Sequence, residues 1–311
     1  MANSRAFKRL VFREKRRQGI KYGAVLRQLR ETGESGAPQP PTVAFVGMAG
    51  GSGRSTLALA VAAELCRRDF KTLYVEVVER SQGPLYGDFR GLMPHVIKKY
   101  APPGHHGPLV AEMDDRQIAE GDLEQMSRDF DVVLLDAARD VDCQYASLMT
   151  ADLGIVPSGH DAIRGLETVA RILKRAQRRR PIRDGFVRGA IIREKPRREQ
   201  EALGAVLRKA GIEPFETVLS RTYAYELVVE RGFSLTGPRL RTVRTEMHEL
   251  VDELFPDGQK VPAWSSRFRR DGFPLYDSED GSDEELGFPP HSLVDLYWTT
   301  YDPTWRARRL I

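Results

Sequence analysis

A glycine-rich run, GMAGGSGRST from Gly47 to Thr56, follows the apolar, β-rich stretch TVAFVG and leads into the helical pattern TLALAVAAELCRRD. Strand, glycine loop, helix is the order in which backbone N–H groups converge on phosphate oxygens, so this feature constrains the chain more than any other. Gly50, Gly51 and Gly53 allow a tight turn that aims amides at an anion, and a helix starting near Ser55 adds its positive N-terminal end. The loop predicts phosphate contacts for Gly50, Gly51, Ser52, Gly53, Arg54, Ser55 and Thr56, and places the Ser55 hydroxyl where a magnesium ion is held. A tight strand-to-helix turn with no ligand is the plainer alternative.

Beyond the loop the pattern keeps alternating. KTLYVEVV and DVVLLDAA read as second and third strands, LGIVPS and VRGAIIR as further ones, and helices are predicted over residues 165–177, 198–210 and 242–254. This predicts an α/β fold: a mostly parallel, doubly wound sheet with helices on both faces and ligands at the carboxyl ends of the strands. Asp136 closes the apolar run of the third strand, where a carboxylate reaches magnesium directly or through water. The chain divides into a basic N-terminal extension and linker (1–41), a phosphate-loop domain (42–255) and an aromatic and acidic C-terminal extension (256–311).

Composition excludes several classes. A hydrophobic content of 41% in 311 residues is ample for a core. Cys66 and Cys143 lie far apart without CxxC spacing, which argues against a disulfide framework or zinc ribbon. His105, His106 and His160 form no spaced ligand set. No stretch approaches the roughly 18 apolar residues of a spanning helix, so a cytoplasmic protein is expected and a membrane role is disfavoured. The net charge of +4 is modest, but cations gather in residues 7–30, which have the pattern of a basic amphipathic helix, and again from Arg171 to Arg198. Such clusters serve either as a solubilising surface or as non-specific contacts to DNA phosphates. The aromatics after Phe255 either pack back on the core or dock into a protein partner.

In this order of segments the sequence resembles the ParA/MinD family of deviant Walker A ATPases. The family pattern KGGxGK followed by Ser or Thr and Thr is matched by AGGSGRST from Ala49, and Asp136 matches the Walker B aspartate. ADLGIVPSGHDAIRGLETVARILKRA from Ala151 and VLSRTYAYELVVERGFSL from Val218 are similar to later family segments. The resemblance implies ATP or ADP with magnesium, a homodimer that switches with nucleotide, and roles in DNA partitioning, mobilisation or cargo positioning. It also exposes departures. The family's signature lysine is Ala49 here, and its phosphate-loop lysine is Arg54. Its two second-strand carboxylates fall on Glu76 and Val78, leaving Glu76 and the neighbouring Glu79 as the candidate catalytic acids. Arg193 stands where an asparagine often lies near the base. These departures predict slow hydrolysis or none, with a pseudo-ATPase adaptor that acts through its extensions as the alternative.

Overall fold

The computed structural model describes residues 39–79, 107–119, 121–179, 186–193, 197–230, 235 and 238–256. The chain divides at Pro40, and the fold described below belongs to the unit Pro40–Ile311. The helical pattern of residues 7–30, the aromatic and acidic C-terminal segment, His105 and His106 lie outside the described residues.

Seven strands form one sheet in the order β3-β2-β4-β1-β5-β6-β7, with every neighbouring pair parallel. They are β1 (Thr42–Phe45), β2 (Thr72–Val78), β3 (Leu109–Asp114), β4 (Val132–Ala137), β5 (Leu153–Ser158), β6 (Val187–Arg193) and β7 (Glu213–Ser220). β1, β4 and β5 are buried along their whole length. Covered on both faces, such strands carry continuous apolar runs rather than alternation. β3 and β7 are the edges and mix exposed with buried positions.

Parallel neighbours require crossovers, and the helices supply them. They are α1 (Arg54–Arg67), α2 (Asp115–Ala119), α3 (Asp122–Ser127), α4 (Val141–Thr150), α5 (Ile163–Arg179), α6 (Arg197–Lys209), α7 (Ala224–Glu230) and α8 (Arg241–Leu254). Alternation along β1 divides the interior in two. Ala44 and Val46 join the core under α4, α5 and α6, while Val43 and Phe45 join the core under α1, α7 and α8. The predicted doubly wound sheet with helices on both faces is therefore the fold of this chain. Among the described residues no helix is long and apolar enough to cross a membrane.

β1 sits between β4 and β5, with β2 and β3 lying on one side and β6 and β7 on the other. The chain direction through the sheet reverses at this point. In open α/β sheets the crevice outside the carboxyl ends at such a switch point is where ligands bind, and the glycine-rich loop leaves β1 there.

Candidate functional site

The loop is held at its base by one buried side chain. Gln144 of α4 accepts from Gly47 N at 3.0 Å and donates to the carbonyls of Gly47 and Ala138, both at 3.0 Å. It is fully buried, so it joins the phosphate loop to the loop after β4 without competition from water. Gly51 and Gly53 adopt left-handed φ values of 71° and 79°, which side chains rarely tolerate. Gly53 caps α1, no side chain accepts from the helix N-terminus, and its first turn holds no acidic residue. The first amides of α1 thus have no side-chain acceptor, which is the arrangement that suits an anion. Ser52 is buried, and Ser55 and Thr56 are half-buried.

Arg54 does not extend along the loop. Its Nε donates to Asp136 Oδ1 at 3.0 Å and its Nη1 donates to the Gly47 carbonyl at 2.7 Å. The second carboxylate oxygen, Asp136 Oδ2, accepts from the Tyr74 hydroxyl at 2.7 Å. Burial first, then the charges of Asp136 and Glu76, push the Tyr74 hydroxyl far above its ordinary range, so Tyr74 is a neutral donor at every working pH. Asp136 stands at the end of β4 beside the loop, in register with Phe45 of β1 and Glu76 of β2. Glu76 is half-buried and lies level with it; Glu79 follows the end of β2. Arg193 ends β6, and its side chain lies outside the described residues.

Magnesium takes one or two carboxylates together with phosphate oxygens. The available carboxylate is Asp136, whose charge is already compensated by Arg54 and whose other oxygen serves Tyr74. Among the described residues no three histidine, cysteine or acidic side chains gather to hold a metal. Ser55 and Asp136 are the donors the sequence nominates for the ion, and in this arrangement Asp136 is paired with Arg54 and Tyr74.

A cavity of about 270 Å³ opens beside the loop. Gly51, Ser52 and Gly53 form one wall, Ile192 of β6 and Leu219 of β7 another, and Tyr225 of α7 a third. Its size lies near the lower end of small-molecule sites. Glu246 of α8 fixes the far wall: it is buried and accepts from Ser220 N at 3.1 Å, Ser220 Oγ at 2.6 Å and Tyr225 Oη at 2.5 Å. Asp161 and Arg221, both half-exposed, pair at 2.9 Å across the cavity lining.

The loop also leans on α5. A Cβ added at Gly165 would lie 2.8 Å from Ala49 N and 3.2 Å from Met48 Cβ. In an open helix Gly→Ala gains about 1 kcal/mol, but here the methyl must displace loop backbone. Gly165→Ala is expected to lower stability by about 1–2 kcal/mol and to weaken ligand binding at the loop. Urea denaturation beside calorimetric titration checks this, and a stabilised variant would show that the loop yields.

The sequence named the loop and Asp136, and the structure brings these together with Tyr74. Sequence reasoning missed Gln144, which lies 97 positions from its partner and reads as a solvent-facing helix residue. Its one local signal is Asp140, whose Oδ1 accepts from Asp142 N and Cys143 N and so starts α4 at a defined point. The cysteines hold no reactive thiol: burial pushes Cys66 up to about 11 and raises Cys143 further.

No protein-family model matches the chain, and no curated protein matches it. Among solved structures it is similar to McdA from Cyanothece, solved with ATP: 16% identity over 69% of this chain and 97% of that one, TM-score 0.48. It is similar to cobyrinic acid a,c-diamide synthase from Mycobacterium smegmatis, solved with ADP and magnesium: 14% identity, 72% and 98% coverage, TM-score 0.46. It is also similar to the cell-division protein MinD from Aquifex aeolicus: 12% identity, 71% and 99% coverage, TM-score 0.45. At such identities these are likenesses of fold, and the fold itself is established by the strand order and the loop after β1.

Proposed function

We propose that the loop from Gly47 to Thr56 binds the phosphates of ATP or ADP, with the nucleoside in the adjoining cavity. We further propose that occupancy acts as a switch in a ParA/MinD-like protein that turns nucleotide over slowly or not at all. The observation that carries this reading is the uncapped N-terminus of α1, which has no acidic residue in its first turn and whose glycine-turned approach lines the 270 Å³ cavity. Slow turnover follows from the parts available. Phosphoryl transfer depends on positioned cations and an oriented nucleophile. Arg54 is held by Asp136, and Ala49 supplies no charge where the family carries its signature lysine. Glu76 and Glu79 remain the candidates for orienting water.

The resemblance points to a homodimer and to a cargo or DNA partner. α5 supports the DNA reading, since Arg164, Arg171, Lys174, Arg175, Arg178 and Arg179 recur along a helix whose apolar side faces the core. Arg175 also lies 4.5 Å over the Tyr145 ring. Contacts of this kind go to phosphates, so DNA affinity falls steeply with salt.

Titration calorimetry of the full chain with ATP and with ADP tests the nucleotide reading. Saturable binding of either nucleotide in the micromolar range is the expected result. No heat at millimolar nucleotide would overturn it and favour the second reading, an adaptor that has ceased to cycle, for which the Arg54–Asp136 pair is the supporting observation.

A further inference from the structure

We infer that Arg139 is the residue that meets the terminal phosphate and makes the site prefer a triphosphate to a diphosphate; the inference rests on the nucleotide reading above. The strand order sets the direction of the ligand. The cavity is built from the loop and the start of α1, from residues after β5, and from the carboxyl ends of β6 and β7 with the segment that follows β7, and it includes Gly51, Ser52 and Gly53 but not Gly50. A nucleoside seated there sends its phosphates along the loop towards β4, the neighbour of β1 on the other side. Gly50 marks that end of the loop.

Arg139, three residues beyond Asp136, covers Gly50. A Cβ built on Gly50 would lie 2.6 Å from Arg139 Nη2 and 2.8 Å from both Cζ and Nη1. Near-equal distances to three guanidinium atoms mean that the flat face of the group rests on the glycine. A larger residue there would have to push the guanidinium aside, which gives Gly50 a reason of its own, independent of backbone conformation. The side chain is exposed, and it forms no ion pair among the described residues. Two other arginines near the site are committed, Arg54 to Asp136 and Arg221 to Asp161.

The backbone that carries Arg139 is fixed on both sides. Ala138 N donates to Val77 O at 2.8 Å and Ala138 O accepts from Gln144 at 3.0 Å, while Asp140 caps α4. A guanidinium on so rigid a support offers its planar fork to phosphate oxygens with little ordering cost. The amides of the loop serve ATP and ADP alike. Arg139 reaches only the phosphate furthest from the cavity, and that group is present in ATP alone.

The test is calorimetry with ATP and with ADP on the full-length wild type, Arg139→Ala, Arg139→Lys and Gly50→Ala, each checked for unchanged thermal unfolding. The wild type is expected to bind ATP more tightly than ADP. Arg139→Ala should lose about tenfold in ATP affinity, the value of one charge-assisted contact, and less than about twofold for ADP. Arg139→Lys should recover part of the loss, and Gly50→Ala, whose methyl displaces the guanidinium, should repeat it. Equal losses for both nucleotides, or no loss on removing Arg139, would overturn the assignment while leaving nucleotide binding in place. A wild type that binds neither nucleotide overturns both readings.

Discussion

Glu64→Ala is expected to lower the unfolding free energy by about 3 kcal/mol at neutral pH, the effect of leaving a buried ionic cluster without its anion. Glu64 lies in the last turn of α1 and is fully buried. Its Oε1 accepts from Arg67 Nη2 at 2.6 Å and Arg68 Nε at 2.8 Å, and its Oε2 accepts from Arg67 Nε at 2.7 Å. His248 Nδ1 of α8 lies 3.2 Å from Oε1, and Arg68 reaches on to Asp252 and to the His248 carbonyl. The carboxylate is thus the hub that joins α1, whose other end binds the phosphate loop, to α8. Arg67 is half-exposed and can turn to water, which keeps the estimate at the lower end for a buried pair.

The same cluster sets a pH dependence with a definite sign. Burial alone pushes the Glu64 carboxyl up, but the hydrogen bonds from Arg67, Arg68 and His248 outweigh it and hold the group below its ordinary value of 4.5. A group whose folded pKa lies below its unfolded one stabilises the fold above the unfolded pKa and loses that contribution as pH falls through the folded pKa. Wild-type stability should therefore drop below pH 4.5, and Glu64→Gln should flatten that limb. Urea denaturation at neutral and acid pH measures both effects. A loss under about 1 kcal/mol, or an acid limb unchanged in the variant, would mean that the arginines are satisfied elsewhere.

The central strands were legible because burial on both faces makes them continuous apolar runs. β1, β2, β4, β5 and β6 form within TVAFVG, KTLYVEVV, DVVLLDAA, LGIVPS and VRGAIIR, where strands are predicted, and α5, α6 and α8 begin and end within two residues of the predicted ranges. The two edge strands were not. β3, LVAEMD, exposes Leu109 and Glu112 and has no apolar block, and β7, EPFETVLS, carries a proline at its second position. Sequence reasoning penalises proline in a strand because it cannot donate to the ladder, but an edge strand tolerates it. Within the site, the glycine turn was legible because it is local. The partners of Arg54 and Gly50 were not, because Asp136 and Arg139 are brought in from β4 and the loop after it, more than eighty positions away. Arginine in place of a lysine, read along the chain, suggests a reshaped phosphate ligand; the sheet shows instead a guanidinium spanning a carboxylate and a carbonyl.

That difference makes Arg54→Ala the sharpest test of how the site works. The side chains of Arg54 and Asp136 are 13% and 5% exposed, so their contact at 3.0 Å is poorly screened. Removing the guanidinium leaves a buried carboxylate with Tyr74 as its remaining donor and the Gly47 carbonyl with Gln144 as its remaining one, a loss of about 3 kcal/mol in stability. Asp136→Asn removes the charge from the other side, and combining the two changes should cost less than their sum, because neither then leaves an unpaired ion. Nucleotide affinity should respond differently. If the guanidinium stays with Asp136 while loop amides and Arg139 hold the phosphates, Arg54→Ala changes ATP affinity by less than about threefold in folded protein. An ammonium, with a single point of charge, cannot span Asp136 and Gly47 as the fork does, so Arg54→Lys should show much of the stability loss without a matching gain in affinity. The opposite pattern, an intact fold with ATP affinity reduced about a hundredfold, would mean that the pair opens when nucleotide arrives and that Arg54 swings onto the phosphates. Asp136 would then be released for magnesium on binding, and the arrangement seen here would be the resting state of a switch.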